Sequence, residues 1–200
     1  SKIYLSYGLL YRPEKYDFRV LKFFNQNGEN INQYFKKSSY TNTYTTILHQ
    51  ILRRRPIPIK VKIVEDLLKL GVDVNQPEVY KTDTIRRIEH PPIFSLFHTP
   101  LTILEPQYDN ILSLINLLVR SGANLNYVSE DRHDSLLLEG PLLIREQEFR
   151  HKVINELISK GLDINKRDNV GENILFKASD LRSNSEDIVI DHAFLISLGA

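Results

Sequence analysis

Apolar residues recur at three- and four-residue steps in stretches that each run into a glycine. The clearest is Val61-Lys62-Ile63-Val64-Glu65-Asp66-Leu67-Leu68-Lys69-Leu70 before Gly71. That period places the apolar groups on one face of a helix and predicts an amphipathic helix ending at the glycine. The residue four before the glycine is apolar every time, namely Phe24, Leu67, Leu118, Leu157 and Leu195. These five are predicted to be core.

The glycine opens a second pattern: one residue, Asp or Asn, an aliphatic, then Asn. Four copies are complete: Gly28-Glu29-Asn30-Ile31-Asn32, Gly71-Val72-Asp73-Val74-Asn75, Gly122-Ala123-Asn124-Leu125-Asn126 and Gly161-Leu162-Asp163-Ile164-Asn165. Gly199-Ala200 looks like a fifth cut short, and the spacings are 43, 51, 39 and 38 residues. Glycine suits the position just past a helix end, where positive φ strains any residue with a side chain. The Asp or Asn two residues on can bond nearby backbone amides and hold the turn.

A weaker signal marks the preceding helix start in Thr46-Ile47-Leu48-His49, Pro91-Pro92-Ile93-Phe94, Gly140-Pro141-Leu142-Leu143 and Asn173-Ile174-Leu175-Phe176. Thr46 and Asn173 are candidate caps, and Pro92 and Pro141 fit a first turn, where a missing amide hydrogen is harmless. The chain then divides into about five units, 1–32, 33–75, 76–126, 127–165 and 166–200, with the last incomplete. In the first, residues 4–12 and 16–26 read as helices with Pro13 between them. A pair of small helices cannot bury its apolar faces alone, so successive units must stack around a shared core. The chain starts at Ser1 without Met, and an apolar end at Phe194, Leu195 and Leu198 leads us to expect that the natural protein continues.

The repeated glycine block and the Thr46-Ile47-Leu48-His49 segment resemble the ankyrin repeat family, over roughly residues 5–200. The resemblance implies two antiparallel helices per unit followed by a β-turn loop. The expected fold class is therefore all-α: an ankyrin-like helical solenoid with long β-turn or hairpin loops. His49 resembles the family histidine that ties neighbouring turns by hydrogen bonds, while Phe94, Leu143 and Phe176 replace it elsewhere and leave register to apolar packing. The richness in Ile, Asn, Tyr and Lys is similar to that of arrays from intracellular bacteria or large DNA viruses, which engage host proteins.

In such a stack the projecting loops carry specificity, and three are long. The loop from Gln33 to Thr45 offers Tyr34, Phe35, Lys37, Tyr40 and Tyr44, and that from Gln76 to His90 offers Tyr80, Arg86 and Arg87. The third, Tyr127 to Glu139, offers Tyr127 and Arg132. Tyr and Arg bury large area while keeping a directed polar tip, which makes these ten residues the candidate partner-binding set. The competing reading is that the aromatics pack the long loops onto the array. The insertion from His98 to Tyr108 reads as an elaboration or a second contact site. Arg53-Arg54-Arg55 reads as a solvated helix end complementing the helix dipole, or, with Arg86 and Arg87, as a phosphate-binding run.

Composition narrows the chemistry. The 26 basic and 25 acidic residues give a formal charge of +1, but residues 1–100 carry about +7 and residues 101–200 about −6. No global field draws the chain to nucleic acid or anionic membrane. Cys is absent, which removes disulfides and thiolate chemistry and fits an intracellular setting. No apolar run approaches the length of a membrane span, so no membrane partner is expected. There is no His-x-x-x-His pair, phosphate-cradling glycine loop or nucleophile elbow, so no catalytic residue, metal or cofactor is assigned and the chain is not expected to be an enzyme. The function expected is recognition of another protein by a monomeric array. A structural scaffold or targeting segment of a larger protein is the alternative, and nucleic-acid binding ranks third.

Overall fold

A computed structural model describes residues 17–37, 40–53, 58–97, 108–128, 137–181 and 185–200. These form eight α-helices: α1 (Phe18–Gln26), α2 (Ile47–Arg53), α3 (Pro58–Lys69), α4 (Tyr108–Arg120), α5 (Glu139–Leu142), α6 (Gln147–Ser159), α7 (Ile174–Leu181) and α8 (Ser185–Ser197). They are joined by a 3-10 helix at Pro92–Leu96 and by four short strands, β1 (Phe35–Lys36), β2 (Thr43–Thr45), β3 (Val79–Lys81) and β4 (Arg86–Ile88). The expected first helix, residues 4–12, lies outside the described residues, as does most of the 98–108 insertion. None of the described helices is long and apolar enough to cross a membrane.

Helices α1, α3, α4 and α6 pack in sequence as one row. The shorter elements form a second row: α2 on the 3-10 helix, and α5 on α7. Between them, Gly140 of α5 lies against Phe97, so close that a Cβ there would sit 2.4 Å from the phenylalanine Cβ. One continuous core fills the space between the rows. Leu67, Leu118, Leu157 and Leu195 are each fully buried in it, as their position before the glycines predicts. The side chain of Phe24 lies outside the described residues. At the last helix Phe194 stacks on His151 at 3.7 Å beside buried Leu195, while Val189 and Ile196 are exposed.

The helices before Gly71, Gly122, Gly161 and Gly199 end the same way. At Gly71 the backbone takes φ +83°, the Val72 amide donates to the Leu67 carbonyl at 3.2 Å, and the Gly71 amide donates to Leu68 at 3.0 Å. This is a Schellman end, and it needs the left-handed conformation that only glycine adopts without strain. The carbonyl that closes it belongs to the buried leucine four residues upstream. The same closure recurs from Ala123 to Leu118, Leu162 to Leu157 and Ala200 to Leu195. Helix stop and core position are thus one device.

The turns that follow are tied to one another. Within each, the Asp or Asn at the third position accepts from the amide of the closing Asn: Asn30 from Asn32 at 2.9 Å, Asp73 from Asn75 at 2.8 Å, Asn124 from Asn126 and Asp163 from Asn165 at 2.9 Å. The closing Asn then reaches into the next unit. Asn32 donates to the Gly71 carbonyl at 3.1 Å and accepts from the Asp73 amide at 2.7 Å. Asn75 does the same with Gly122 and Asn124, at 2.8 and 2.7 Å, and Asn126 with Gly161 and Asp163, at 2.9 and 2.8 Å. Asn165 donates to Gly199 at 2.9 Å. A side-chain amide carries one acceptor and two donors, so it satisfies a carbonyl and an amide of the next turn together. That explains the fourfold Asn at this position.

The all-α solenoid expected from the pattern is overturned. β1 to β4 form a four-stranded antiparallel sheet in the order β1-β2-β3-β4, built from the first two long loops. The units are also not equivalent copies, since a 3-10 helix stands at Pro92–Leu96 and a four-residue helix at Glu139–Leu142. The physical reason lies in Thr43-Tyr44-Thr45 and Val79-Tyr80-Lys81, whose Thr, Val and Tyr residues favour extended backbone. Paired across the two loops, these segments satisfy each other's backbone groups and bury Thr45 and Val79. The described chain is a stack of helical layers with a small antiparallel sheet on one side.

Candidate functional site

The sheet is made of two hairpins side by side. In the first, Phe35 faces Thr45 and Lys36 faces Tyr44, and the Lys37 amide donates to Thr43 at 2.8 Å. In the second, Val79 faces Ile88, Tyr80 faces Arg87 and Lys81 faces Arg86. Its turn is closed by the Thr82 amide donating to the Ile85 carbonyl at 2.8 Å and by the Ile85 amide donating to Thr82 Oγ1 at 3.0 Å. The hairpins join through Thr43 opposite Tyr80 and Tyr44 opposite Val79, with the Lys81 amide donating to Asn42 at 2.9 Å.

Two buried polar contacts fix this sheet to the helices. Glu78, at the foot of β3, is buried and takes both terminal guanidinium nitrogens of Arg53, from the end of α2, with the Lys37 ammonium 3.8 Å away. Burial alone would raise the Glu78 carboxyl. The hydrogen bonds and charge of Arg53 outweigh it, with help from His49 and Thr45, and hold the pKa at about 2. Beside this pair, His49 is fully buried; its Nδ1 lies 2.9 Å from Thr46 Oγ1 and its Nε2 lies 3.0 Å from the His90 carbonyl. The carbonyl can only accept, so Nε2 carries the proton and the Thr46 hydroxyl donates to Nδ1. Burial pushes this imidazole down to about 4, so it is neutral at neutral pH. Tyr34 adds a tie from its hydroxyl to the Pro77 carbonyl at 2.8 Å, and Gln76 donates to the Asn32 carbonyl at 2.8 Å. Sheet and turn column therefore share a border at Asn32.

The sheet and its flanks bring together Tyr34, Phe35, Lys37, Tyr40, Tyr44, Tyr80, Arg86 and Arg87, although the side chain of Arg87 lies outside the described residues. They are not equally exposed. Phe35 packs on the core, Tyr34 is bonded to Pro77, and Lys37 faces the Glu78 pair. Tyr40, near the first hairpin's tip, is 97% exposed. Tyr127 lies outside the sheet's strands: it packs edge-on against Phe94 at 6.3 Å, and Phe94 in turn stacks on His90 at 4.8 Å. Arg132 lies outside the described residues. Of the Arg53-Arg54-Arg55 run, Arg54 and Arg55 also lie outside them, and Arg53 is committed to Glu78 rather than solvated.

Sequence reasoning missed Glu78. The available signal was that its side chain shares a strand face with Tyr80, so a β3 strand would turn it toward the helices. It also missed a second buried pair at the other end of the stack, where Arg150 of α6 donates from Nε to Asp191 of α8 at 2.9 Å and from Nη1 to the Ile144 carbonyl at 2.7 Å. His151 lies 3.1 Å from the same Asp191 oxygen. Among the described residues, no group of three or more His, Asp or Glu is placed to hold a metal ion. No protein-family model matches the chain, and no curated protein matches it.

Proposed function

We propose that this protein is a recognition module that binds another protein through its paired hairpins. The observation that carries this reading is that two long loops rich in Tyr, Lys and Arg fold into one sheet, fixed at its base by Glu78, Arg53 and His49. A surface ordered in advance loses little freedom on binding, and Tyr supplies contact area at low entropic cost. The exposed ring of Tyr40 is the leading anchor. The Asn-bridged glycine turns support kinship with the ankyrin repeat family, and the lack of Cys fits an intracellular site of action.

The test places a photoreactive benzoylphenylalanine at position 40 and, as control, at exposed Val189 on α8. Irradiation in cell lysate should yield a discrete protein adduct from position 40 that excess unlabelled protein suppresses. No discrete adduct from position 40, or the same adducts from both positions, would remove the reading.

A further inference from the structure

One face of the sheet carries positive charges that no ion pair among the described residues neutralises. Residues in register share a face, and alternate positions along a strand return to it. One row therefore runs Lys36, Tyr44, Val79, Ile88, and the next holds Asn42, Lys81 and Arg86. Lys36, Lys81 and Arg86 are all exposed, and among the described residues none of them makes an ion pair. Lys81 and Arg86 stand directly opposite each other, where like charges destabilise a strand pair. The nearby carboxylates do not answer them: Glu78 points to the opposite face and is committed to Arg53, Glu89 alternates to that face as well, and Asp83 sits exposed at the hairpin turn. Half-buried Tyr44 stands in register with buried Val79 among these cations, giving the patch an apolar centre.

We propose that this face binds an acidic segment of the partner protein, whose Asp or Glu side chains sit between Lys81 and Arg86 and beside Lys36. This deepens, and rests on, the protein-binding reading above. An anion placed there replaces repulsion by attraction, and steers encounter from a distance of roughly a Debye length, about 8 Å at physiological salt. Nucleic acid fits less well. Duplex binding engages about 6–10 phosphates along a track, whereas among the described residues this face offers three cations outside ion pairs and a Tyr that is half-buried instead of fully exposed to stack a base.

The test uses fluorescein-labelled peptides of 15 residues: one with five Asp/Glu spaced among Gly, Ser and Leu, one with those five as Asn/Gln, and a 15-nucleotide oligothymidylate, each titrated by fluorescence anisotropy. The acidic peptide should bind at least about tenfold more tightly than its amide counterpart, and about 30-fold more weakly to Lys36→Ser/Lys81→Ser/Arg86→Ser, at about threefold per exposed charge. Lys81→Glu provides the control for folding. It creates a cross-strand pair with Arg86, so its urea midpoint should not fall while acidic-peptide binding is lost. Equal binding of acidic and amide peptides overturns the acidic-segment proposal and leaves the protein-binding reading in place; so does a position-40 adduct that survives in the triple variant. Tighter binding of oligothymidylate than of any peptide overturns both. Sedimentation showing that the protein self-associates and disperses in salt would make a second copy the occupant, and would also overturn it.

Discussion

The turn column and the hairpin sheet join the same layers in opposite ways. The column uses exposed, neutral amides: each Asn makes two ordinary bonds to the next turn, and the arrangement repeats three times in full. The sheet uses one buried charged pair and one buried neutral imidazole, and occurs once. The column is therefore redundant, with each link of modest worth and independent of pH near neutrality. In the sheet the joint is concentrated, and removing one member strands its partner in a poorly solvated place. Repetition spreads stability, whereas a unique joint localises it and makes it titratable.

The most severe way to break this contrast is Glu78→Gln, which leaves the Arg53 guanidinium without its carboxylate. It should cost about 3 kcal/mol in urea unfolding, whereas Arg53→Met/Glu78→Leu should recover most of that, because removing both charges also removes their desolvation. A single-variant loss below that of an Asn link would erase the distinction between the two regions.

Acid titration separates the regions without mutation. His49 is depressed to about 4 from 6.5, so its contribution is complete above pH 6.5 and is lost as pH falls toward 4, where the unfolded imidazole takes up a proton that the buried one refuses. Glu78 is depressed to about 2 from 4.5, so its contribution is present above pH 4.5 and lost as pH falls through 2. Stability should thus fall by up to about 3 kcal/mol between pH 6.5 and 4. His49→Gln should flatten that limb and keep the lower one. A wild-type profile flat from pH 6.5 to 4 would show that His49 is not buried neutral.

Gly140 gives a scale from packing alone. The Cβ of Gly140→Ala would meet Phe97 Cβ at 2.4 Å and Cγ at 2.8 Å, so the α5 layer must shift, at a cost of about 2 kcal/mol by thermal or urea melting. An unchanged melting curve would mean that the layers slide freely past each other. The smallest effect should come from Asn75→Ala, which removes two exposed bonds, at about 1 kcal/mol. Combined with Asn165→Ala, two turns further on, the loss should be additive. Strong coupling between them would argue against independent links.

What could be read in the sequence follows the same division. Helix ends and the buried leucines were legible because Gly, Leu and Asn recur at fixed offsets, and each recurrence supports the others. The Asn at the last position was visible as a pattern, but its partners lie 34–49 residues away and only stacking brings them within reach. The sheet was passed over for a different reason. Thr43-Tyr44-Thr45 and Val79-Tyr80-Lys81 are each three residues long, too short to be read alone as strands, and they become strands by pairing with each other. The place of Tyr127 was not legible because an aromatic in a long loop gives no sign of whether it stands clear of the layers or, as here, meets the edge of Phe94.

Hydrogen exchange followed residue by residue by NMR tests most directly whether the hairpins and the stack form one ordered body. The amides of Asp73, Asn124 and Asp163, held by the Asn side chains, and that of Lys81, held by Asn42 of the neighbouring hairpin, should exchange with similar opening free energies. A Lys81 amide exchanging at the rate of a free peptide, while Asp73 stays protected, would show hairpins detached from the stack and contradict the account.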